Sequence, residues 1–403
     1  MTKQVDAAII GGGIAGSSLA IDLARKGWST LVLDQKVFPR HKSCGEFMSP
    51  ETGQMLAMLG LAELSRELQP AIIREAALIF EHGARVSMPL PGEAWGISRY
   101  ALDLKLHEAA LEAGAEIWEG CKVEGIAEIR SERSRYPLEN TAYRLNVDHH
   151  GQSCIIEARV AFGAWGSRRP SRLLPANDKN AVKGKTARRT TMGQHPDQVG
   201  VKLHYEGITG GEAVELYFCE GGYVGIAPIE KQRLNVAALL DLRTVQKWGK
   251  SVAEIIDAAA STNKALADRL EGGIPIADTS TAQSPVRITS RPEPWGTVPH
   301  IGDAAMVIPP LCGDGMSIAL RSALQASSVA ELYLNGSISH DGWKRKHISR
   351  LQREFGRVLK VGGLLQAASR VPILTKMAPG ALRLFPPLRG WMVRATRLKE
   401  TER

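Results

Sequence analysis

The sequence predicts an α/β fold in which a parallel sheet carries an antiparallel meander, a second β-sheet is inserted, and the C-terminal region is helical. Three observations point to it. Residues 5–10 form an apolar strand that runs into a glycine-rich turn and then an amphipathic segment. Strand-like and helix-like runs alternate up to residue 118 and then give way to short alternating strands. The last 63 residues carry 15 Lys and Arg interleaved with leucines, a helical pattern.

The elements follow in chain order. Gly11, Gly13 and Gly16 stand in G-x-G-x-x-G spacing between the first strand and its helix. The first glycine allows the tight turn, the second lets backbone amides approach a pyrophosphate, and the third lets helix pack on strand. A second strand at 30–33 ends in Asp34, 21 residues beyond Gly13, where an acid accepts hydrogen bonds from a ribose. The chain therefore reads as a dinucleotide-binding protein. A polar loop at 36–45 precedes a helix-like stretch at 50–68, and residues 72–88 and 96–97 suit strands of another sheet. Residues 99–107 open an amphipathic helix that ends at Gly114, a residue suited to the left-handed terminating conformation. Residues 115–118 resume the parallel sheet, 120–160 suit a meander, 177–194 a loop, and 199–240 a β-rich roof over a substrate pocket. That pocket is expected between the roof and residues 44–47 and Pro310, lined by Met48, Tyr217 and Tyr223.

Composition narrows the class. The chain has 403 residues, 44% of them hydrophobic, which is ordinary for a globular protein of two or three domains. No apolar run is long enough for a membrane span, and the strand starting at residue 5 leaves no room for a signal peptide. A cytoplasmic protein, peripheral at the membrane at most, is the expectation. Cys44, Cys121, Cys154, Cys219 and Cys312 are scattered and lack C-x-x-C spacing, so neither a disulfide framework nor a metal site is expected. Net charge is +9, but residues 341–403 alone carry +11. Such a tail can attract an acidic protein or an anionic membrane surface. The other reading is helices packed on the body through Leu364, Leu365, Val371, Ile373, Leu374, Leu382, Leu384 and Phe385. No nucleic-acid motif is present.

A second signature lies at 300–317: His300-Ile301-Gly302-Asp303, then Pro310-Leu311-Cys312-Gly313-Asp314-Gly315-Met316 and an apolar helix at 318–334. An aspartate after a strand-ending glycine can bind a sugar hydroxyl, and the glycines free a helix N-terminus that favours negative charge. Together with the N-terminal fingerprint this resembles the FAD-dependent oxidoreductases of the aromatic-hydroxylase superfamily, in their geranylgeranyl-reductase-like and flavin-halogenase-like branch. The resemblance implies a glutathione-reductase-type FAD-binding Rossmann domain from 1–70, 99–175 and 285–335. It also implies a substrate-binding sheet domain from 71–98 and 176–284 and a basic helical region from 336–403. By the same resemblance Gly11, Gly13, Ala15, Gly16 and Asp34 hold the ADP half of FAD, with Val123 nearby. Gly302 and Asp303 hold the ribitol, and Pro310, Gly313, Gly315 and Met316 lie against the ring. The segment Arg40-His41-Lys42-Ser43-Cys44-Gly45 is similar to the branch's Arg-x-Lys-x-Cys-Gly stretch beside the flavin. Arg99 with Leu102-Asp103 resembles its R-x-x-L-D helix start.

Two departures qualify the likeness. The family's G-A-D-G-x-x-S segment appears as Gly163-Ala164-Trp165-Gly166-Ser167-Arg168-Arg169, with Trp165 in place of the acid, which puts direct reduction by NADPH or NADH in question and raises a separate flavin reductase. Residues 221–228 lack both tryptophans of the halogenase W-x-W-x-I-P motif. The leading expectation is a monooxygenase that hydroxylates an apolar or aromatic substrate, free or tethered to a carrier or peptide, through a flavin hydroperoxide. The alternative is a reductase of carbon–carbon double bonds, for which Cys44, Glu46 and Tyr223 are candidate proton donors. A third reading is a flavoprotein that docks an acidic partner without turnover. His41, His195 and His204 are given no place in the site, since a lone histidine on a loop is more often solvated than catalytic.

Overall fold

The computed structural model describes residues 2–130, 141–168 and 197–398; the loop expected at 177–194, together with His195 and Arg169, lies outside them. β1 (Thr2–Ile10) is fully buried from Ala7 to Ile10, as a central parallel strand covered by helices must be. α1 (Ile14–Arg25) follows directly, and β2 (Thr30–Leu33) pairs parallel with β1. β3 (Phe47–Met48) is short, and the expected helix over 50–68 is two, α2 (Thr52–Met58) and α3 (Leu64–Leu68). Gly60, in the left-handed region at φ +68°, breaks it. β4 (Ala71–Ile79) and β5 (Arg85–Gly96) lead into α4 (Arg99–Glu112), whose first turn is capped by the Ser98 hydroxyl accepting from the Ala101 amide.

The first sheet closes with β6 (Glu116–Trp118) and a meander of β7 (Cys121–Arg130), β8 (Thr141–His149) and β9 (Gln152–Gly163). Its order is β6-β2-β1-β9-β8-β7, parallel from β6 to β9 and antiparallel beyond. β9 returns to lie beside β1, so its C-terminal end at Gly163 sits next to the glycine turn.

The second sheet takes β10 (Gln198–Glu206), β11 (Ala213–Cys219), β12 (Gly222–Ile229), β13 (Arg233–Asp241) and β14 (Ile274–Val286). With β3, β4 and β5 it makes eight strands in the order β14-β10-β13-β12-β11-β4-β5-β3. One face packs on α5 (Leu242–Trp248), α6 (Val252–Ser261) and α7 (Lys264–Leu270), with Val201, Leu203, Tyr217 and Val236 in that core. These three helices were not anticipated from the sequence.

α8 (Gly315–Leu334) packs against α1 in the main core, and α9 (His340–Ala368) crosses it. Trp343 is fully buried there and stacks on Tyr333 at 5.1 Å. α10 (Pro372–Leu384) and α11 (Pro386–Thr396) then lie over the other face of the second sheet, where Leu382 and Val393 meet Phe80, Met88 and Phe218. The tail is helical as expected, but the packing differs: Leu364, Val371, Ile373, Leu374, Leu384 and Phe385 are exposed. α10 turns only Leu382 and its neighbours inward.

His347 on α9 is buried, its Nε2 donating to the His300 carbonyl at 3.2 Å. Burial drops its pKa from 6.5 to about 4. A histidine held neutral in the fold adds stability that is complete above pH 6.5 and lost as pH falls towards 4. The thermal midpoint should therefore fall between pH 7 and pH 5. In His347→Gln, part of that fall should be missing in a calorimetric pH series.

Candidate functional site

Two clefts run between the sheets. The outer, about 700 Å3, is lined by Gly11, Gly13, Asp34, Arg40 and Val123, with Lys42, Trp165 and Arg168 across from them. The inner, about 240 Å3, is lined by Cys44, Gly45, Glu46, Tyr223, Asp303, Pro310, Gly313, Gly315 and Met316. Ser43, Ser167 and Gln283 line both, so the two form one elongated path. Ala15, Gly16, Arg99 and Gly302 line neither.

Those last four set the shape of the path. A Cβ on Gly16 would sit 1.8 Å from the Gly11 carbonyl oxygen, and one on Gly302 would sit 2.9 Å from the Ala15 Cβ. Helix and strand therefore touch backbone to backbone, and the 302–304 turn lies directly on the Ala15 methyl. Gly13 differs, because a Cβ there would meet only Arg99 Nη2, at 3.6 Å. The protein does not need that glycine for its own packing, and the space above it is open to the outer cleft. Gly315 and Gly45 likewise meet nothing within 4 Å. The chain thus fits FAD on its own geometry: open glycines at both ends of one path, an acid at one end and a long helix N-terminus at the other.

The acid is well placed. Asp34 is buried and accepts the Gly12 amide at 2.7 Å and the Lys36 amide at 2.8 Å, with Arg40 Nη2 3.7 Å away. Arg99 is buried and makes a bidentate pair with Asp103, at 2.7 and 2.8 Å, which fixes the guanidinium beside Gly13. Trp165 lies in the outer cleft wall, edge-on to His300 at 5.0 Å. At the inner end Gly313 takes φ +72° against the Phe47 ring. Asp314, fully buried next to it, pairs with Arg397 from beyond α11. Burial pushes the Asp314 carboxyl up to about 7, against the lowering charge of Arg397.

Three candidate proton donors fare differently. Cys44 lines the inner cleft, and burial raises its thiol above the usual value while the Arg99 charge opposes the rise. It holds a proton at neutral pH. Burial also raises the Tyr223 hydroxyl. Glu46 does not suit the role. Its backbone is left-handed at φ +52°, and its Oε2 accepts from His204 Nε2 at 2.6 Å while Oε1 lies 3.1 Å from Lys202 Nζ. Oε1 also accepts the Arg99 amide at 2.9 Å. Burial alone would raise its pKa, but the His204 hydrogen bond and the Lys202 charge together lower it, so Glu46 is an ionised carboxylate without a proton to give.

Other expectations need correction. His204 is not solvated but buried on β10, whereas His41 is a half-buried loop residue on the wall of the outer cleft, 3.2 Å from Lys202 Nζ and stacked on Tyr100 at 4.8 Å. Burial lowers the His41 pKa to about 4. Tyr217 points into the core on the far side of the second sheet and Met48 into the main core; only Tyr223 of the three expected lining residues reaches the pocket. The strand period explains the miss. In β10, Val201, Leu203 and Tyr205 face the helices while Lys202 and His204 face the Cys44 loop, and an alternating strand ordinarily turns its polar face to water.

Two outcomes check the site. Gly13→Ala should fold with the thermal midpoint of the wild-type protein stripped of its cofactor, yet purify without yellow cofactor, whereas Gly16→Ala should fail to fold; absorbance and circular dichroism separate the two. Glu46→Gln should cost about 3 kcal/mol or more in denaturant unfolding, because Lys202 is then a buried cation without its carboxylate. Adding Lys202→Met should recover most of that loss.

Comparison with known proteins agrees with this geometry. Residues 4–354 match the FAD binding domain family. The chain is 24% identical over 373 residues to digeranylgeranylglycerophospholipid reductase 1 of Methanococcoides burtonii, covering 88% of this chain and 80% of that one. It is 31% identical over 138 residues to a menaquinone reductase of Mycolicibacterium smegmatis, spanning 33% of each protein. Among solved structures, the flavin-dependent brominase Bmp2 superposes with TM-score 0.74 at 20% identity, over 98% of this chain and 93% of that one. A geranylgeranyl bacteriochlorophyll reductase-like protein from Thermoplasma acidophilum gives 0.70 at 16%, over 100% and 94%; both share the fold. With its dinucleotide path and a family match over most of its length, the chain belongs to the FAD binding domain family and is an FAD-dependent oxidoreductase.

Proposed function

We propose that the protein reduces a carbon–carbon double bond in an apolar, chain-like substrate. The observation that carries this reading is an apolar groove of about 350 Å3 between α10, α11 and the second sheet, lined by side chains such as Leu78, Phe80, Met88 and Phe218. It shares Ala76, Leu216, Leu311, Cys312 and Arg397 with the inner cleft. A substrate chain lying in the groove can therefore place its end beside the Pro310–Gly315 turn. The 24%-identical reductase named above acts, by its name, on an isoprenoid glycerophospholipid, which supports a substrate of that class.

FAD, when bound, accepts and donates hydride equivalents. The protein residues do the rest. The groove orients an apolar chain and keeps water from it. Cys44 carries a proton at the cleft, and its transfer to one alkene carbon complements hydride addition to the other, so two hydrogens are added across the bond. The thiolate left behind sits in the field of Arg99 until solvent reprotonates it. Electrons come from NADPH, NADH or a separate flavin reductase, and Trp165, which replaces an acid in the cleft wall, favours the last.

Incubation of the protein, reduced under anaerobic conditions, with an isoprenoid-tailed lipid or quinone should yield a product heavier by two hydrogens. A product heavier by one oxygen, formed only in air, would establish hydroxylation instead. Cys44→Ala should retain FAD but lose on the order of a hundredfold in the rate of saturated product, the usual contribution of a positioned acid.

A further inference from the structure

The geometry points to α10 and α11 as a docking platform for an anionic lipid bilayer, with the mouth of the apolar groove facing the lipid. Nine of the fifteen large hydrophobic residues exposed among the described residues lie between Leu364 and Trp391. Their arrangement on α10 is ordered. Ile373, Met377 and Leu384 form one outward stripe, 64%, 64% and 77% exposed, while Thr375, Ala378 and Leu382 form the opposite stripe facing the groove. Lys376 and Arg383, seven apart, stand on the flank between them. Phe385 at the corner and Leu388 and Trp391 on α11 continue the exposed apolar surface. A helix that buries one apolar stripe against its own protein and leaves a second in water, edged by cations, has the make-up of a segment that lies in a membrane interface.

Charge selects the occupant. From Phe355 to Lys399 the sequence has nine Lys and Arg and not one Asp or Glu, and two of the nine, Arg370 and Arg397, are taken up by Asp241 and Asp314. A neutral surface would match the apolar stripe but not the cations, and an acidic protein would match the cations but not so many projecting aliphatic side chains. A bilayer with anionic headgroups matches both, cations at headgroup depth and Ile373, Met377, Leu384 and Phe385 below them. No helix among the described residues is long and apolar enough to cross a membrane, so the contact is peripheral. Leu374, Leu388 and Trp391 are exposed and line the groove as well, and they mark its mouth on this same face. A lipid tail can thus pass from the bilayer into the groove and on to the inner cleft without crossing water. This last step rests on the proposed reduction of an apolar chain; the docking itself does not.

The test is co-sedimentation of the full-length FAD-loaded protein with vesicles of phosphatidylglycerol and phosphatidylcholine, against vesicles of phosphatidylcholine alone. Binding to the anionic vesicles, weakened by salt, is expected. Met377→Glu with Leu384→Glu changes two exposed side chains and should cut the partition on the order of tenfold, while FAD content, melting temperature and turnover of detergent-dispersed substrate stay unchanged. Absence of vesicle binding, binding indifferent to those substitutions, or selective capture of an acidic carrier protein in place of vesicles would overturn the assignment. Vesicle binding by a protein that reduces no alkene would leave the platform standing and remove the reductase reading.

Discussion

A single buried carboxylate joins the parts of this molecule that must stay in register. Glu46 accepts the first amide of α4, a hydrogen bond from His204 and the charge of Lys202. α4 belongs to the nucleotide sheet and β10 to the second sheet, and Glu46 sits on the loop that carries Cys44 between them. An ion group taken fully out of water is stable only when its partners are all in place. Any shift of one sheet against the other would open one of these bonds in a dry interior. The cluster therefore sets the width of the inner cleft, although none of its members needs to touch a substrate. The left-handed backbone at Glu46 fits the same view, since a strained residue persists where its surroundings over-determine it.

The nucleotide half was legible because its demands fall on the backbone and recur at fixed spacing. Close approach at Gly11, Gly16 and Gly302 excludes every side chain, and such exclusion leaves a pattern that can be read from residue types alone. The substrate half was not legible for the opposite reason. Its walls are strand residues whose period of two says that they alternate but not what each face meets. Lys202 and His204 look like a wet face and are dry; Tyr217 and Met48 look like a lining and are core. Three helices covering the second sheet went unread because they are short, seven to ten residues, too short for periodicity to stand out.

The C-terminal helices carried contradictory signals in the sequence, basic like a solvated face and apolar like a packed one. Both are correct, on different sides of the same helix. α10 uses the side of Leu382 to close the groove and leaves the side of Ile373 and Leu384 in contact with solvent. A binary reading of inside and outside has no place for a helix with two apolar faces, and the resulting ambiguity is physical rather than a weakness of the pattern.

The pairing of Arg397 with Asp314 has a consequence for how the molecule is made. The dinucleotide path is assembled from residues between Ile10 and Met316, yet Arg397, almost the last residue described, supplies a wall of the inner cleft and reaches the turn before α8. A ribosome releases the nucleotide-binding half well before that arginine. During synthesis the outer cleft can therefore be complete while the inner cleft is still open to solvent, and the inner cleft gains its last wall only once Arg397 has been made. A chain without Arg397 would keep the outer cleft whole and leave the inner cleft lacking one wall, with Asp314 buried and unpaired.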